Sequence, residues 1–203
     1  VPSELRNKFA MSVRQPLGVC SIITPWNFPM AIPSWKIIPA LVCGNTVVLK
    51  PSELTPLSAV NFIKVLAEAG VPPGVVNIVT GAGETGAALV NHPGIDKVAF
   101  TGSTQTGRAI IDAAKGNFKR VSLELGGKSP NLVFADANLK RASKTSMYGV
   151  FSNSGQLCIR FAKWREGRTS CSPVVAEAGW YRGNDVVFRE AEGLALAERK
   201  STR

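Results

Sequence analysis

The stretch that decides the fold covers residues 46–81 and reads TVVLKPSELTPLSAVNFIKVLAEAGVPPGVVNIVTG. Its first five residues are mostly β-branched or apolar, and they end at Pro51. Residues 56–69 then carry apolar side chains at helical spacing, with a proline in the first turn and Gly70 as a stop. Residues 75–80 are a second β-rich run. A strand, a helix and a strand in this order predict a βαβ unit, and therefore a parallel sheet.

The same alternation continues on both sides of this stretch. Further strands are predicted over residues 19–24, 97–101, 121–125 and 131–134, and further helices over 29–43, 84–91, 103–115 and 138–151. The fold class that follows is α/β, a Rossmann-like and mostly parallel sheet with helices on both faces. Ligands of such sheets bind beyond the carboxyl ends of the strands. We therefore expect the functional residues in the loops that follow strands.

The composition indicates a folded chain and excludes several classes of function. Of the 203 residues 45% are hydrophobic and 19% charged, which excludes a disordered chain. The net charge of +10 is scattered, so no nucleic-acid partner is expected. Four prolines interrupt the longest uncharged stretch, residues 15–35, so no membrane partner is expected. No signal-peptide pattern begins the sequence, and we expect a cytoplasmic protein. The cysteines form no CxxC pair, and no metal site is predicted; they are Cys20, Cys43, Cys158 and Cys171.

Two glycine-rich loops follow predicted strands and precede predicted helices. Residues 81–86, GAGETG, form a literal GxGxxG, although the acidic residue expected some twenty positions later is missing. Residues 102–107, GSTQTG, offer hydroxyls and amides at a helix start. Either loop could bring backbone N–H groups to a phosphate, and either could be an ordinary strand-to-helix turn.

Four polar side chains lie where a parallel sheet would present its ligand side. Lys50 and Glu53 follow a strand and could grip the two hydroxyls of a ribose, or form a solvated turn. Glu124 ends an apolar strand, where a carboxylate costs free energy unless it is paired or functional. Asn27 offers an amide donor between two prolines. Cys158 is either a small core residue or a nucleophile. As a nucleophile it must be a thiolate, which a helix N-terminus or a nearby cation favours.

The single histidine is not expected to be a catalytic base. His92 stands directly before Pro93 at the end of a predicted helix, where a capping or surface role is more common. A mechanism that needs a histidine triad would have to use His92 or fail.

Five motifs occur in a fixed order along the first 158 residues. They are ITPWNFP at 23–29, VLKPSE at 48–53, FTGST at 100–104, LELGGK at 123–128 and GQLC at 155–158. With these motifs in this order, the chain closely resembles the NAD(P)-dependent aldehyde dehydrogenase superfamily. Within that superfamily, it resembles the semialdehyde and betaine-aldehyde dehydrogenase group most. The resemblance implies an oxidoreductase that oxidises a small aldehyde to a carboxylic acid.

The resemblance implies three catalytic roles. Cys158 matches the nucleophile that attacks the aldehyde carbon to give a thiohemiacetal and later a thioester. Asn27 matches the residue whose amide, with the cysteine N–H, stabilises the oxyanion. Glu124 matches the general base that activates water for deacylation.

The resemblance also implies a binding site for NAD. Lys50 and Glu53 match the positions that hold the adenosine ribose, and Ser103 matches a position on the pyrophosphate. Glu53 should repel a 2′-phosphate, so NAD is preferred over NADP. The full set of cofactor-binding positions implied is Ile23, Thr24, Trp26, Lys50, Glu53, Gly81, Gly86, Gly102, Ser103, Gly107 and Leu125.

The resemblance fails after Cys158, where Arg becomes frequent and Lys rare. We expect an NAD-binding domain over 1–125, the start of a catalytic domain over 126–158, and a weakly ordered basic tail over 159–203 with one helix near 187–200. Members of the family are homo-oligomers, but no arm for oligomerisation is matched here. The alternative function is a truncated or frame-disrupted remnant that binds NAD without turnover.

Overall fold

The computed structural model describes residues 8–126, 129–130, 136–157, 161–163, 188–190 and 193–195. It divides into two compact units, Val1–Leu125 and Gly126–Arg203. Each unit is described by itself.

The first unit is built on a five-stranded sheet in which every pair of neighbours is parallel. The strand order is β3-β2-β1-β4-β5. From β1 the chain adds β2 and β3 on one side, and it then crosses to the other side of β1 to add β4 and β5. This order confirms the Rossmann-like α/β prediction. The strand order reverses between β1 and β4, which makes this position a topological switch point. The strands are β1 (Val19–Ile23), β2 (Thr46–Lys50), β3 (Val76–Ile78), β4 (Lys97–Gly102) and β5 (Arg120–Leu125).

Four helices connect these strands and cover both faces of the sheet. They are α1 (Ala31–Val42), α2 (Pro56–Glu68), α3 (Gly83–Asn91) and α4 (Thr104–Ala114). On one face, α1 and α2 bury Ile37 and Leu66 against strand residues such as Leu49. On the other face, α3 and α4 bury Val90 and Ile110. Neighbouring residues of a strand point to opposite faces, so β1 supplies Ile22 to the first cluster and Ile23 to the second.

Complete burial of the large aliphatic side chains holds the sheet to its helices. Ile22, Ile37 and Leu49 have at most 1% of their surface exposed. Each such side chain contributes on the order of 1.5–3 kcal/mol relative to leaving it in water.

Two side chains, from the residues directly before β2 and before β4, bind the backbone at the amino end of β1. Asn45 Oδ1 accepts the N–H groups of Leu17 (2.6 Å) and Gly18 (3.1 Å). Asp96 Oδ2 accepts the N–H of Val19 at 2.8 Å. Gly18 has a φ of +118°, a conformation that L side chains rarely adopt, and a Cβ there would lie 2.1 Å from Asp96 Oδ2.

The second unit contains one helix and short strand pairs among its described residues. α5 (Leu139–Phe151) begins as predicted at Asn138, whose Oδ1 accepts the N–H of Arg141 at 3.0 Å. β6 (Ser129–Pro130) pairs in parallel with β7 (Phe161–Lys163). The strand predicted over 131–134, Cys158 and most of the predicted tail lie outside the described residues.

The helix predicted near residues 187–200 is wrong. β8 (Phe188–Glu190) and β9 (Gly193–Ala195) form an antiparallel pair in that region. Gly193 disfavours the interior of a helix, and the Val-Val-Phe run at 186–188 has the β-branched and aromatic residues that strands favour.

We predict that Gly18→Ala lowers the free energy of unfolding by about 1–3 kcal/mol, because it forces a strained φ on alanine. The new Cβ also displaces the Asp96 carboxylate from the Val19 N–H. The measurement is urea unfolding followed by circular dichroism. Gly83→Ala is the matched control, because a Cβ at Gly83 meets nothing within 4 Å. Equal midpoints for the two variants would contradict the prediction.

Candidate active site at the carboxyl edge of the sheet

Lys50, the last residue of β2, has a buried side chain at the carboxyl edge. Its side chain is only 7% exposed, and its Nζ lies 3.6 Å from Glu53 Oε2 and 3.2 Å from the Pro51 carbonyl oxygen. The solvated turn considered from the sequence is therefore wrong for Lys50. Glu53 itself is 55% exposed, so one member of the pair is buried and the other faces solvent.

The third glycine of the GxGxxG lies against Lys50. A Cβ at Gly86 would lie 3.7 Å from Lys50 Cδ and 3.8 Å from Ile23 Cδ1. Gly86 is buried in α3, so this helix passes close above the aliphatic part of Lys50. The structure thus brings together three predicted cofactor positions, Ile23, Lys50 and Gly86.

The pKa of the Glu53 carboxyl lies below its ordinary value. The largest cause is a hydrogen bond from the Glu53 backbone N–H, followed by the nearby Lys50 ammonium. Both interactions favour the charged form. Glu53 therefore stays ionised to a lower pH than an isolated carboxyl would.

A positive φ or a close neighbouring side chain disfavours any residue other than glycine at three positions of the two glycine-rich loops. Gly81 has a φ of +148°, and a Cβ there would meet Thr85 Oγ1 at 2.1 Å. At Gly102 a Cβ would lie 2.4 Å from Phe100 Cζ. At Gly107 it would lie 2.7 Å from Leu125 Cδ2, so α4 approaches the end of β5 closely. These contacts support the ordinary-turn interpretation and leave ligand contact as a prediction.

Ser103 caps α4 as its sequence position predicts. Its Oγ accepts the N–H of Thr106 at 3.1 Å and lies 2.8 Å from Thr106 Oγ1. The loop therefore points the N-terminus of an eleven-residue helix toward the carboxyl edge.

The segment after β1 is joined to the segment after β2. The Thr24 N–H donates to the Lys50 carbonyl at 3.1 Å, and Thr55 Oγ1 donates to the Trp26 carbonyl at 3.0 Å. Asn27 is half-buried in this segment, directly after Trp26. Thr55 was not among the candidates from the sequence, because its partner lies 29 residues away.

Glu124 lies on β5 opposite Thr101 of β4 and is exposed. Burial lowers the pKa of the Lys36 ammonium, and the Glu124 carboxylate opposes that shift. Lys36 is the one charged residue of α1, and this isolated charge in an apolar helix was the signal that sequence reasoning missed.

Lys50 and Glu124 belong to opposite faces of the sheet. The strand register aligns Lys50 with Ile23 and Phe100, which face α3 and α4. Glu124 aligns with Thr101, one residue further along β4 and therefore on the other face. A ligand that reaches both must pass over the carboxyl edge of the sheet.

The remaining candidates are placed as follows. His92 follows the last residue of α3, is exposed, and its Nδ1 accepts the N–H of Gly94 at 3.1 Å. Cys20 is buried, and this burial raises the pKa of its thiol, whereas Cys43 is exposed. Cys158 lies outside the described residues, so its distance from Asn27 and Glu124 stays a prediction.

The described part of the chain has neither a metal-binding cluster nor a membrane-spanning helix. No group of three or more histidine, cysteine or acidic side chains there could hold a metal ion. Within the same residues, no helix combines the length and apolar character needed to span a bilayer.

The family follows from the sequence as a whole. The profile of the aldehyde dehydrogenase family matches residues 1–164, and the chain belongs to that family. The match runs past Cys158, where the resemblance of the motifs ends.

Individual relatives and a solved structure agree with this membership. Retinal dehydrogenase 2 of Mus musculus is 58% identical over 152 residues, covering 74% of this chain and 29% of the relative. Aldehyde dehydrogenase 1A1 of Mus musculus is 59% identical over 153 residues, with shares of 74% and 30%. An aldehyde dehydrogenase from Bacillus cereus in complex with NAD+ is 52% identical, with a TM-score of 0.70 over 71% of this chain and 30% of that chain. The chain therefore spans less than a third of the length of these relatives.

We predict that Lys50→Met raises the pKa of the Glu53 carboxyl, because the attraction of the ammonium is lost. The shift is incomplete, since the Glu53 N–H still donates to the carboxyl. Nuclear magnetic resonance titration of the Glu53 side chain measures it.

A lowered pKa in the folded state means that this interaction stabilises the fold above the ordinary carboxyl pKa and is lost as pH falls through the lowered one. The control is Lys115→Met, whose ammonium pairs with Asp112 at 3.1 Å on the exposed surface. A Glu53 pKa unchanged by Lys50→Met would contradict the proposed origin of the shift.

Proposed function

We propose that this chain provides the NAD-binding part and the nucleophile-bearing segment of an enzyme that oxidises a small aldehyde to a carboxylic acid with NAD. The observation that carries the proposal is the pair formed by buried Lys50 and exposed Glu53 at the end of β2. This pair lies at the carboxyl end of β2. β2 is the neighbour of β1, and β1 borders the topological switch point. Dinucleotides bind at such switches in sheets of this class.

The residues present fit an adenosine ribose and a pyrophosphate. The Lys50 ammonium offers donors and the Glu53 carboxylate offers acceptors, which suit vicinal hydroxyls. The N-terminus of α4 and the Ser103–Gly107 turn suit an anion. Trp26, which is 43% exposed beside this edge, is proposed to line the cofactor channel. When bound, NAD supplies the hydride acceptor.

The side on which each group lies is consistent with one extended ligand. The ribose pair begins on the face of α3 and α4, whereas Glu124 lies on the opposite face. Lys50 and Glu53 would hold the adenosine ribose, and Glu124 would act from the other side of the carboxyl edge.

The chemistry proposed for the reacting groups is the one that the family resemblance implies. The Cys158 thiolate attacks the carbonyl carbon, and the Asn27 amide donates a hydrogen bond to the oxygen as it becomes negative. The hydride on this carbon would pass to the acceptor that NAD supplies when bound, and the acyl group would remain on the Cys158 sulfur as a thioester. Glu124 then accepts a proton from the water that attacks the thioester, which releases the acid and the thiolate.

A second candidate function is NAD binding without turnover. The observation that favours it is that the Lys50–Glu53 pair and the Ser103 cap, which are proposed to hold the dinucleotide, all lie in the unit Val1–Leu125. A cytoplasmic location and the family's homo-oligomeric state remain parts of the proposal.

We predict that the chain binds NAD and that turnover depends on Cys158. Isothermal titration calorimetry with NAD tests the first statement, and growth of reduced-nicotinamide absorbance with propanal or betaine aldehyde tests the second. Cys158→Ala should retain NAD binding and lose turnover, because the nucleophile is removed. NAD binding without turnover by the unaltered chain would favour the second candidate, and no binding would contradict both.

We predict that Glu53→Gln narrows the preference for NAD over NADP by about tenfold. The reason is that a neutral amide removes the repulsion between the carboxylate and a 2′-phosphate. Calorimetric dissociation constants for both cofactors measure the change. Asp112→Asn, which neutralises another exposed carboxylate, should leave the ratio unaltered. The same ratio in Glu53→Gln as in the unaltered chain would contradict this role.

A further inference from the structure

Thr55 occupies a helix-capping position without capping the helix through its side chain. It directly precedes α2, with φ −140° and ψ 50°, and Pro56 follows at the first helical position. A threonine at this position ordinarily accepts a hydrogen bond from an N–H of the first turn. No such bond to the Thr55 side chain is present in α2.

The Thr55 hydroxyl instead reaches the segment that follows β1. Its Oγ1 donates to the Trp26 carbonyl oxygen at 3.0 Å. That carbonyl belongs to the same planar peptide unit as the nitrogen of Asn27, so the bond restrains the backbone on which the Asn27 side chain is mounted.

The turn that presents Thr55 is itself fixed by Ser52. The Ser52 Oγ accepts the N–H of Leu54 at 3.3 Å, and the Ser52 carbonyl accepts the N–H of Thr55 at 3.3 Å. Ser52 is only 8% exposed, which anchors this turn in the unit. Glu53 lies in the same turn and pairs with Lys50.

We propose that Thr55 is a positioning residue for the Asn27 amide, and this role rests on the proposed function of Asn27. Its hydroxyl ties the segment carrying the oxyanion donor to the turn carrying the ribose pair. The Thr24 N–H bond to the Lys50 carbonyl ties the same two segments closer to the strands. Removing the hydroxyl removes this one restraint on the Trp26–Asn27 peptide and leaves the Lys50–Glu53 pair in place.

The experiment compares Thr55→Val, which removes the hydroxyl and keeps the shape, with Thr55→Ser, which keeps the hydroxyl. The first readout is the order parameter of the Asn27 backbone N–H, measured by nuclear magnetic resonance. We expect it to fall from about 0.85 to below about 0.6 in Thr55→Val and to recover in Thr55→Ser. Thr46→Val, at the opposite end of β2, is the matched control and should leave it unchanged.

The second readout separates positioning from cofactor binding. Thr55→Val should lower kcat by about ten- to a hundredfold, as misplacement of a reacting group does. The dissociation constant for NAD should stay within about twofold, because the Lys50–Glu53 pair is intact.

Three results would overturn the role of Thr55. They are an unchanged order parameter in Thr55→Val, a Thr55→Ser variant that behaves like Thr55→Val, and an NAD dissociation constant that rises as much as kcat falls. The order parameter needs neither NAD nor turnover. An inactive unaltered chain would therefore count against the proposed function, while the order parameter would still decide for or against Thr55.

Discussion

The rest of the site depends on the burial of one ammonium group. A buried Lys needs polar partners, and Lys50 has them in Glu53 and the Pro51 carbonyl. Its aliphatic part lies under α3, where a Cβ at Gly86 would be in ordinary van der Waals contact with Lys50 Cδ at 3.7 Å. The turn after β2 and the path of α3 are therefore fixed around the same cation.

The fold was largely predictable because its signals are local and repeated. Each βαβ unit combines a β-branched run, a periodic helix and a glycine or proline at the boundary, and all five strands of the first unit were located. The helix predicted over 29–43 begins two residues later, at Ala31. In the second unit the same reasoning failed near 187–200, where β-favouring residues and Gly193 outweigh helical spacing.

Sequence reasoning named residues that the fold brings together at the carboxyl edge, but it did not predict their contacts. Lys50, Glu53 and Gly86 were named from motifs, but the packing of the glycine on the lysine is a tertiary contact that neither segment encodes alone. Thr55 has an ordinary capping sequence, and only the folded chain shows that its hydroxyl reaches Trp26. Lys36 was missed because a lysine in a helix usually lies at the surface.

The alternation of side chains along the strands has a consequence for how such a protein can change. Lys50, proposed to hold the adenosine ribose, and Glu124, proposed to move protons, lie on opposite faces of one sheet. A substitution beneath α3 therefore leaves the packing of the opposite face unchanged. Under the proposed function, evolution or protein engineering could alter the choice of dinucleotide and the proton-transfer group nearly independently.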